Sequence, residues 1–484
     1  MAGGVTTLEC DALLRGPGAG GPKRVSFGEK VTAVEPGPGG SGLVMMPALC
    51  NAHDHGRGLR SAAFGAGDDT LELWIARLEF EPKVDPYLRA AVALARMAQS
   101  GIGVINHCHN AQDPARLVQE AEAVAKAARD IGVRVAFAVP IAGRNPLTYG
   151  DPAAFLDALP PAQAEALKAK VANRPSWDRQ LEDAERIFDL ASPWFLPQYC
   201  PTGPQWVDDD VLATIAERSE RLDRRVHMHL FETETQRQWA DATYPGGLIP
   251  HLDRIGLLSP RLTLAHGVYL DADDCALLAE RGAMVSVNTS SNLRLRSGIA
   301  PVKTFMDTGL GWGMGLDGMA FDDDEDALRE LRLLWQLQRG FGLDRIVSPD
   351  RLWQAVLSDG RRAILGPNDG GTVTPGAPAD LLVLKTGRIL HDVLPGRADV
   401  FDMLLTRATK ADVEALYVGG RAVVEHGHVT GIDLPAAEAA LLDEARAKMT
   451  DIDTDAAARA EAARIAYYGA GCHCHAPDRE RQEA

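Results

Sequence analysis

The feature that most constrains this chain is an alternation of texture between residues 48 and 370. Short apolar runs at 104–105, 133–139, 194–196, 226–230, 262–265, 283–287 and 311–316 are separated by long amphipathic stretches. The stretches at 117–131, 209–222 and 326–339 carry a helical pattern. Runs too short for helices, joined by segments long enough for crossover helices, predict a parallel sheet, closed or doubly wound. About eight such strands favour a (β/α)8 barrel of the TIM type, an α/β fold that gathers its functional residues at the C-terminal strand ends.

The flanks differ. Residues 1–47 read as short β segments broken by Gly and Pro, such as Val25-Ser26-Phe27 and Val31-Thr32-Ala33-Val34. A like texture returns over 371–430, with turns such as Gly419-Gly420. The two flanks are expected to fold together as one composite β-sandwich domain beside a barrel over 48–370. Residues 431–484 are expected to form a closing helix over 433–466, capped by Asp433 with Pro435 in its first turn, and a tail.

Composition excludes several classes of function. Against 67 Asp and Glu stand 50 Lys and Arg, a formal charge of −17. A surface this acidic works against binding phosphate backbones or anionic membranes, so no nucleic-acid or membrane partner is expected. No run reaches the roughly 20 apolar residues of a membrane span. The first residues, Met1-Ala2-Gly3-Gly4, lack the basic and apolar blocks of a signal peptide. Seven scattered cysteines argue against a disulfide framework and for a reducing cytoplasm.

The histidines carry the chemistry. Seven of the 13 fall at the ends of expected strands one, two, five and six. Pro47-Ala48-Leu49-Cys50-Asn51-Ala52-His53-Asp54-His55-Gly56 ends the first barrel strand, and side chains two apart share a face, about 7 Å apart along the strand. Val226-His227-Met228-His229-Leu230-Phe231-Glu232-Thr233, Leu262-Thr263-Leu264-Ala265-His266-Gly267 and Gly313-Met314-Gly315-Leu316-Asp317-Gly318 end later runs. Alone, each is compatible with incidental polar residues at a strand end. Together, three imidazoles and one carboxylate suit a borderline divalent metal, usually zinc, with one position open for water.

In these ordered motifs the chain resembles the amidohydrolase superfamily, and within it the aminohydrolase and triazine-hydrolase branch, with phenylurea and thiocarbamate hydrolases nearby. The resemblance spans nearly the whole chain. It takes in His53-Asp54-His55, His229-Leu230-Phe231-Glu232, Ala265-His266-Gly267 and Leu316-Asp317-Gly318. It also takes in Ser290-Ser291-Asn292-Leu293 with Ser297-Gly298-Ile299-Ala300-Pro301, and Gly376-Ala377-Pro378-Ala379-Asp380-Leu381. The resemblance implies His53, His55, His229 and Asp317 as metal ligands, with His227 structural one layer deeper. It implies catalytic roles for Asp317, which takes a proton from the attacking water, His266, which orients water or polarises the electrophile, and Glu232, which shuttles a proton. One divalent transition metal per chain is expected, zinc first, although Fe, Co and Mn accept the same ligands. The run 194–200 lacks the lysine that bridges two metals in binuclear subtypes.

Other positions depart from the deaminases of the branch. Gly56-Arg57-Gly58 follows His55, and Asn106-His107-Cys108-His109 ends strand two. Arg57, Trp74, His107, His109, Gln198 and Asn292 are candidate substrate contacts. His107 and His109 are expected on one face of the mouth, where they could also line a wet funnel or hold a second metal. The acidic run Phe321-Asp322-Asp323-Asp324-Glu325 reads as a helix N-cap. Trp74, Phe80, Trp194, Tyr199 and Trp206 read first as core packing. Cys472-His473-Cys474-His475 is spaced too tightly to surround one ion and reads as tail.

Three functions follow, in order. The first is hydrolysis, by metal-bound hydroxide, of an amide, urea or carbamate C–N bond in a small molecule. The second is an aminohydrolase that releases ammonia from a purine, pyrimidine or triazine. The third is a non-catalytic protein that keeps the fold. The resemblance also implies a homo-oligomer.

Overall fold

The computed structural model describes residues 4–469 apart from 16–19, 79, 144–147, 319–324, 369, 395 and 450–452. Eight parallel strands form a nearly closed barrel: β1 (Leu49–Asp54), β2 (Ile102–Cys108), β3 (Arg134–Ile141), β4 (Phe195–Pro201), β5 (Val226–Leu230), β6 (Leu262–His266), β7 (Met284–Val287) and β8 (Gly311–Met314). Neighbours in sequence are neighbours in the sheet, as successive right-handed crossovers require. The first and last strands meet where the Asp317 N–H donates to the His53 carbonyl (2.9 Å) and the Leu316 N–H to Asn51 Oδ1 (2.9 Å).

Helices Pro86–Gln99, Leu117–Ile131, Trp177–Phe188 and Asp209–Leu222 cover the early strands. Their apolar stripes and the outward residues of the strands, such as Ile105, Val135, Phe137 and Phe195, share one core. Inside the barrel a second cluster of small residues, Cys50, Ala52, Val104 and Ala136, packs with Ala363 and Ile364 of the helix Gly360–Leu365. That helix plugs the floor, so the polar residues have to lie toward the opposite, C-terminal end.

Strands from both flanks join in one six-stranded sheet. Its order is His428–Val429, Arg421–Glu425, Val413–Val418, Leu381–Lys385, Leu43–Pro47 and Ala12–Leu13. Thr6–Cys10, Lys23–Phe27 and Val31–Pro36 form a three-stranded sheet that packs with it around Leu13, Val25, Phe27 and Val383. Leu43–Pro47 leads straight into β1, so this unit and the barrel share a continuous chain at the His53-Asp54-His55 motif.

Instead of one closing helix there are two, Leu434–Lys448 and Asp453–Tyr468. Asp433 caps the first as expected, accepting from the Ala436 N–H. It packs along Pro86–Gln99, with Arg96 paired to Glu438 (2.7 Å), whereas the second turns onto Leu71–Leu78 and Ala153–Asp157. Ala460, Ala462 and Ala463 are buried. Two different neighbours need two directions, which one straight helix cannot supply. No helix among the described residues is long and apolar enough to cross a membrane.

Candidate metal and catalytic centre

Alternation along β2 and β5 decides what points inward. On β2 the inward residues are Val104, Asn106 and Cys108; on β5 they are His227 and His229. Cys108, Ala138 and Cys200 form a layer of small side chains on β2 to β4, which leaves room for the imidazoles of β1, β5 and β6 opposite.

Those imidazoles converge. His53 Nε2 and His55 Nε2 lie 3.0 and 3.2 Å from the same oxygen, Asp317 Oδ1. The rings of His53 and His229 are 4.9 Å apart, and those of His229 and His266 stack at 5.6 Å. Two overlapping groups have ligand atoms within 4.8 Å of one another: His53 with His55 and Asp317, and His53 with His229 and His266. His229 thus reaches the cluster through His53.

The second ring nitrogen of each ligand candidate is engaged from behind. His55 Nδ1 donates to the Cys108 carbonyl (2.9 Å) and His229 Nδ1 to the Thr202 carbonyl (2.7 Å). In a neutral imidazole this leaves Nε2 as a bare lone pair. Burial pushes His53 and His55 down to about 4 and His229 to about 3, so all three are neutral at pH 7. His55 therefore presents a lone pair 3.2 Å from a carboxylate oxygen, an arrangement of two acceptors that a cation between them resolves. His53 Nε2 likewise makes no hydrogen bond of good geometry despite the 3.0 Å approach. The donor set, neutral nitrogens and one carboxylate, fits a borderline divalent ion.

His53 is backed by a longer chain. Its Nδ1 lies 2.8 Å from His227 Nε2, His227 Nδ1 lies 2.9 Å from the Asn106 amide, and that amide lies 2.7 Å from Gln198. In this arrangement Gln198 Nε2 donates to Asn106 Oδ1 and Asn106 Nδ2 to His227 Nδ1, so His227 Nε2 donates to His53 Nδ1. For His53 Nε2 to serve a cation as the third lone pair, both amides turn over, so that Asn106 Oδ1 accepts from His227 Nδ1 and His227 Nε2 accepts from His53 Nδ1. His227 is thus wholly buried beneath the cluster, one layer down.

Asp317 stands with φ +60°, in the left-handed region, as do His266 (+77°) and Phe231 (+48°). Non-glycine residues rarely accept this, and here all three fall at strand ends of one site. Ser291 Oγ donates to Asp317 Oδ2 (2.5 Å). Burial pushes the Asp317 carboxyl up, but a proton on the facing His53 or His55 nitrogen outweighs it and holds the carboxyl well below the usual range. His266 Nδ1 is held by Asn292 Oδ1 at 2.9 Å, which turns Nε2 toward Glu232 Oε2 (3.4 Å) and Asp317 Oδ2 (4.0 Å). Glu232 is buried with Oε1 unpartnered, and burial, then the charges of Asp317 and Glu72, push its carboxyl well above the usual range. The two neighbouring carboxyls are thus driven in opposite directions, Asp317 toward the ionised form and Glu232 toward the protonated one.

The expected substrate contacts fare differently. Asn292 meets His266 and keeps its Nδ2 free of partners. Gln198 belongs to the layer beneath the cluster. Arg57 is buried over the Trp74 ring (5.4 Å), with Nη2 2.6 Å from Asn110 Oδ1 and Nε 3.7 Å from Glu81. Trp74 itself donates to the Ala66 carbonyl (3.2 Å).

His107 and His109 need correction. They do share a face of β2, but it is the face toward the helices, because Asn106 and Cys108 take the inner one. His107 Nε2 lies 3.1 Å from His109 Nδ1, and His109 Nε2 lies 2.7 Å from Glu120 of the helix Leu117–Ile131. Their rings pack on Phe137. The His107 ring also explains the altered loop after His55. A Cβ on Gly56 would stand 2.2 Å from His107 Nδ1, and one on Gly58 2.6 Å from the Arg89 carbonyl. Close packing therefore accounts for both glycines.

Of the acidic run, Phe321–Asp324 and the tail motif Cys472–His475 lie outside the described residues. The cap itself is Asp326, which accepts from the Leu328 and Arg329 N–H groups. Residues that sequence reasoning passed over include Asn51, Ser291 and Thr202. Asn51 and Ser291 lay in motifs already singled out, whereas Thr202 did not.

Residues 44–448 match the model of the amidohydrolase family. The chain is 30% identical over 415 residues to the 8-oxoguanine deaminase of Pseudomonas aeruginosa, covering 81% of this chain and 85% of that one. It resembles the crystal structure of an adenosine deaminase from Xanthomonas campestris with bound zinc, with a TM-score of 0.74 at 21% identity, over 91% of this chain and 98% of that one. It also resembles an atrazine chlorohydrolase from Arthrobacter aurescens complexed with zinc, with a TM-score of 0.73 at 17% identity, over 91% and 99% of the two chains.

Proposed function

Because the chain belongs to the amidohydrolase family and is a metal-dependent hydrolase of non-peptide C–N bonds, we propose that it is an aminohydrolase, releasing ammonia from a small N-heterocycle such as a purine, pyrimidine or triazine. The observation that carries this reading is the buried Glu232–His266–Asp317 group, in which one imidazole nitrogen faces two carboxyls at 3.4 and 4.0 Å, with burial favouring the protonated form of Glu232. A protonated Glu232 can donate to a ring nitrogen, which draws electrons from the carbon under attack, and can then carry a proton to the departing amine. A relative named for 8-oxoguanine deamination supports the same choice.

His53, His55, His229 and Asp317 would hold one divalent ion, most economically zinc, the ion named with two of the similar structures. Such an ion supplies hydroxide at neutral pH, since it lowers the pKa of water to about 7. Asp317, with Oδ2 fixed by Ser291, is placed to take the proton of the attacking water. His266 Nε2 faces both carboxylates, so it can orient that water and pass its proton from Asp317 toward Glu232. Asn292 keeps His266 in the tautomer that makes Nε2 the acceptor.

Hydrolysis of an amide, urea or carbamate bond would use the same groups. The loop Gly56-Arg57-Gly58, which pointed that way in the sequence, answers instead to the packing of His107 and Arg89. A panel of purines, pyrimidines and triazines assayed for ammonia, beside ureas, carbamates and anilides assayed for amine, decides between them. Amine release without ammonia would overturn the proposal. Elemental analysis should find one metal per chain. Glu232→Gln should keep that metal and lower kcat by about 10²–10⁴-fold; unchanged kcat would remove Glu232 from the mechanism.

A further inference from the structure

The turn that presents Glu232 is strained. Phe231 before it has φ +48°, a conformation that a phenylalanine holds only when its surroundings enforce it. What enforces it lies outside the barrel strands. The Glu232 N–H donates to Gln236 Oε1 (2.7 Å), and Thr233 Oγ1 donates to Glu72 Oε1 (2.7 Å). Glu72 belongs to the helix Leu71–Leu78 and is 3% exposed. Its other oxygen accepts from the Tyr468 hydroxyl at 2.7 Å, across 396 residues of sequence, and the Tyr149 hydroxyl lies 3.3 Å from Oε1.

Among the described residues no basic side chain pairs with Glu72. Its charge is met by three hydroxyls and by the first turns of two helices. One is its own; the other is Glu234–Thr243, which Thr233 caps by accepting from the Gln236 N–H. A second route runs in parallel. Gln236 Nε2 lies 3.4 Å from the Tyr149 hydroxyl, and the Tyr149 ring packs on Tyr467 at 4.8 Å. Both routes end on the same helix, Asp453–Tyr468, which is anchored by its buried alanines rather than by the barrel.

We propose that Glu72 is a positioning residue of this centre, and that the helix Asp453–Tyr468 belongs to the frame of the active site. Tyr468 holds the Glu72 carboxylate, Glu72 holds Thr233, and Thr233 fixes the turn from which Glu232 reaches His266. This rests on the reading of Glu232 as the proton carrier. The strap is specific to that role, because the residues it touches include none of the four that would hold the metal.

The test uses the full chain with Tyr468→Phe, Glu72→Gln and the double variant. Each single variant should lower kcat about tenfold, as small misplacement of a catalytic group does, with KM within about twofold. Metal content should stay at the wild-type value. Acting through one chain of contacts, the double variant should be no slower than the slower single. Independently of turnover, hydrogen exchange at the amides of Phe231 to Gln236 should quicken in both single variants while the barrel strands stay protected.

Wild-type kcat together with wild-type exchange in that turn would overturn the proposal, as would a loss that falls on KM or on metal content alone. Tyr468→Phe removes a single hydroxyl and decides the matter even if Glu72→Gln does not fold. If Glu232→Gln proves fully active, the catalytic reading fails, and the proposal that the strap serves it falls too. If Glu232→Gln is inactive while the strap variants match wild type, only the strap falls.

Discussion

At the scale of the residue, the centre is organised by what stands behind each proposed ligand. A histidine binds a cation only through a nitrogen without a proton, so a partner for the other nitrogen selects the useful tautomer. His55 and His229 take backbone carbonyls for this purpose, Cys108 and Thr202, which no side-chain substitution removes. His53 takes His227, a side chain. It is therefore the proposed ligand whose support can be deleted cleanly. His227→Phe keeps the bulk of the ring and removes the nitrogen that His53 Nδ1 meets. It should weaken divalent-ion affinity by about 10–100-fold, as loss of an outer partner of a ligand does. Competition against a chelator measures this; wild-type affinity would show that the His53–His227 contact contributes nothing to the ion.

At the scale of the element, a strand end displays side chains but also restricts what its neighbours can be. Gly56, with φ +57°, lies under the His107 ring so closely that any Cβ would stand 2.2 Å from Nδ1. Gly56→Ala has two costs, the left-handed conformation at about 1 kcal/mol and the displacement of a packed ring at about 1–3 kcal/mol. In a His107→Ala background, which bears its own cavity cost, the same glycine substitution should show only the first cost. Denaturant unfolding of wild type, both single variants and the double checks this, and a cost of Gly56→Ala that stays the same with and without the ring would show that the ring is not the obstacle. The same place marks how far the sequence could be read. Period two put His53 with His55 and His107 with His109, correctly in both cases. It could not say which pair faces inward, since β2 carries polar groups on both faces and the apolar pattern that normally tells inside from outside is lost there. Strand existence, order and the Asp317 ending were legible because they rest on long apolar alternation. Glu72 was not: in Leu-Glu-Leu-Trp-Ile-Ala-Arg-Leu an acid reads as a solvent-facing residue, and only a contact with Tyr468 reveals its burial.

At the scale of the whole molecule, the barrel is held to the composite sheet at one buried carboxylate. Asp380 lies at the re-entry of the chain, where the Ala48 N–H just before β1 donates to its carbonyl (2.9 Å). Its side chain accepts from Arg134 of β3 (2.5 Å), from Arg361 of the helix that plugs the floor (2.6 Å) and from the Gly419 N–H of the sheet (2.6 Å). Asp380 is 2% exposed, so water cannot replace these partners. Asp380→Asn keeps the shape and leaves two guanidinium groups facing a neutral amide, a change expected to cost about 3–5 kcal/mol. The pH dependence has a definite sign. Burial pushes the Asp380 carboxyl up, but Arg361 and Arg134 outweigh it and hold the folded value below the ordinary 3.8. The folded state therefore binds this proton less readily than the unfolded chain. The stabilisation is fully present above pH 3.8 and is lost as pH falls through the folded value. The difference in Tm between wild type and Asp380→Asn should thus be constant from neutral pH down to that point and narrow below it. All other carboxylates titrate alike in the two proteins and cancel. A gap that stayed constant into strong acid would mean that Asp380 contributes packing and neutral hydrogen bonds, and that its charge is not what joins the two halves of the fold.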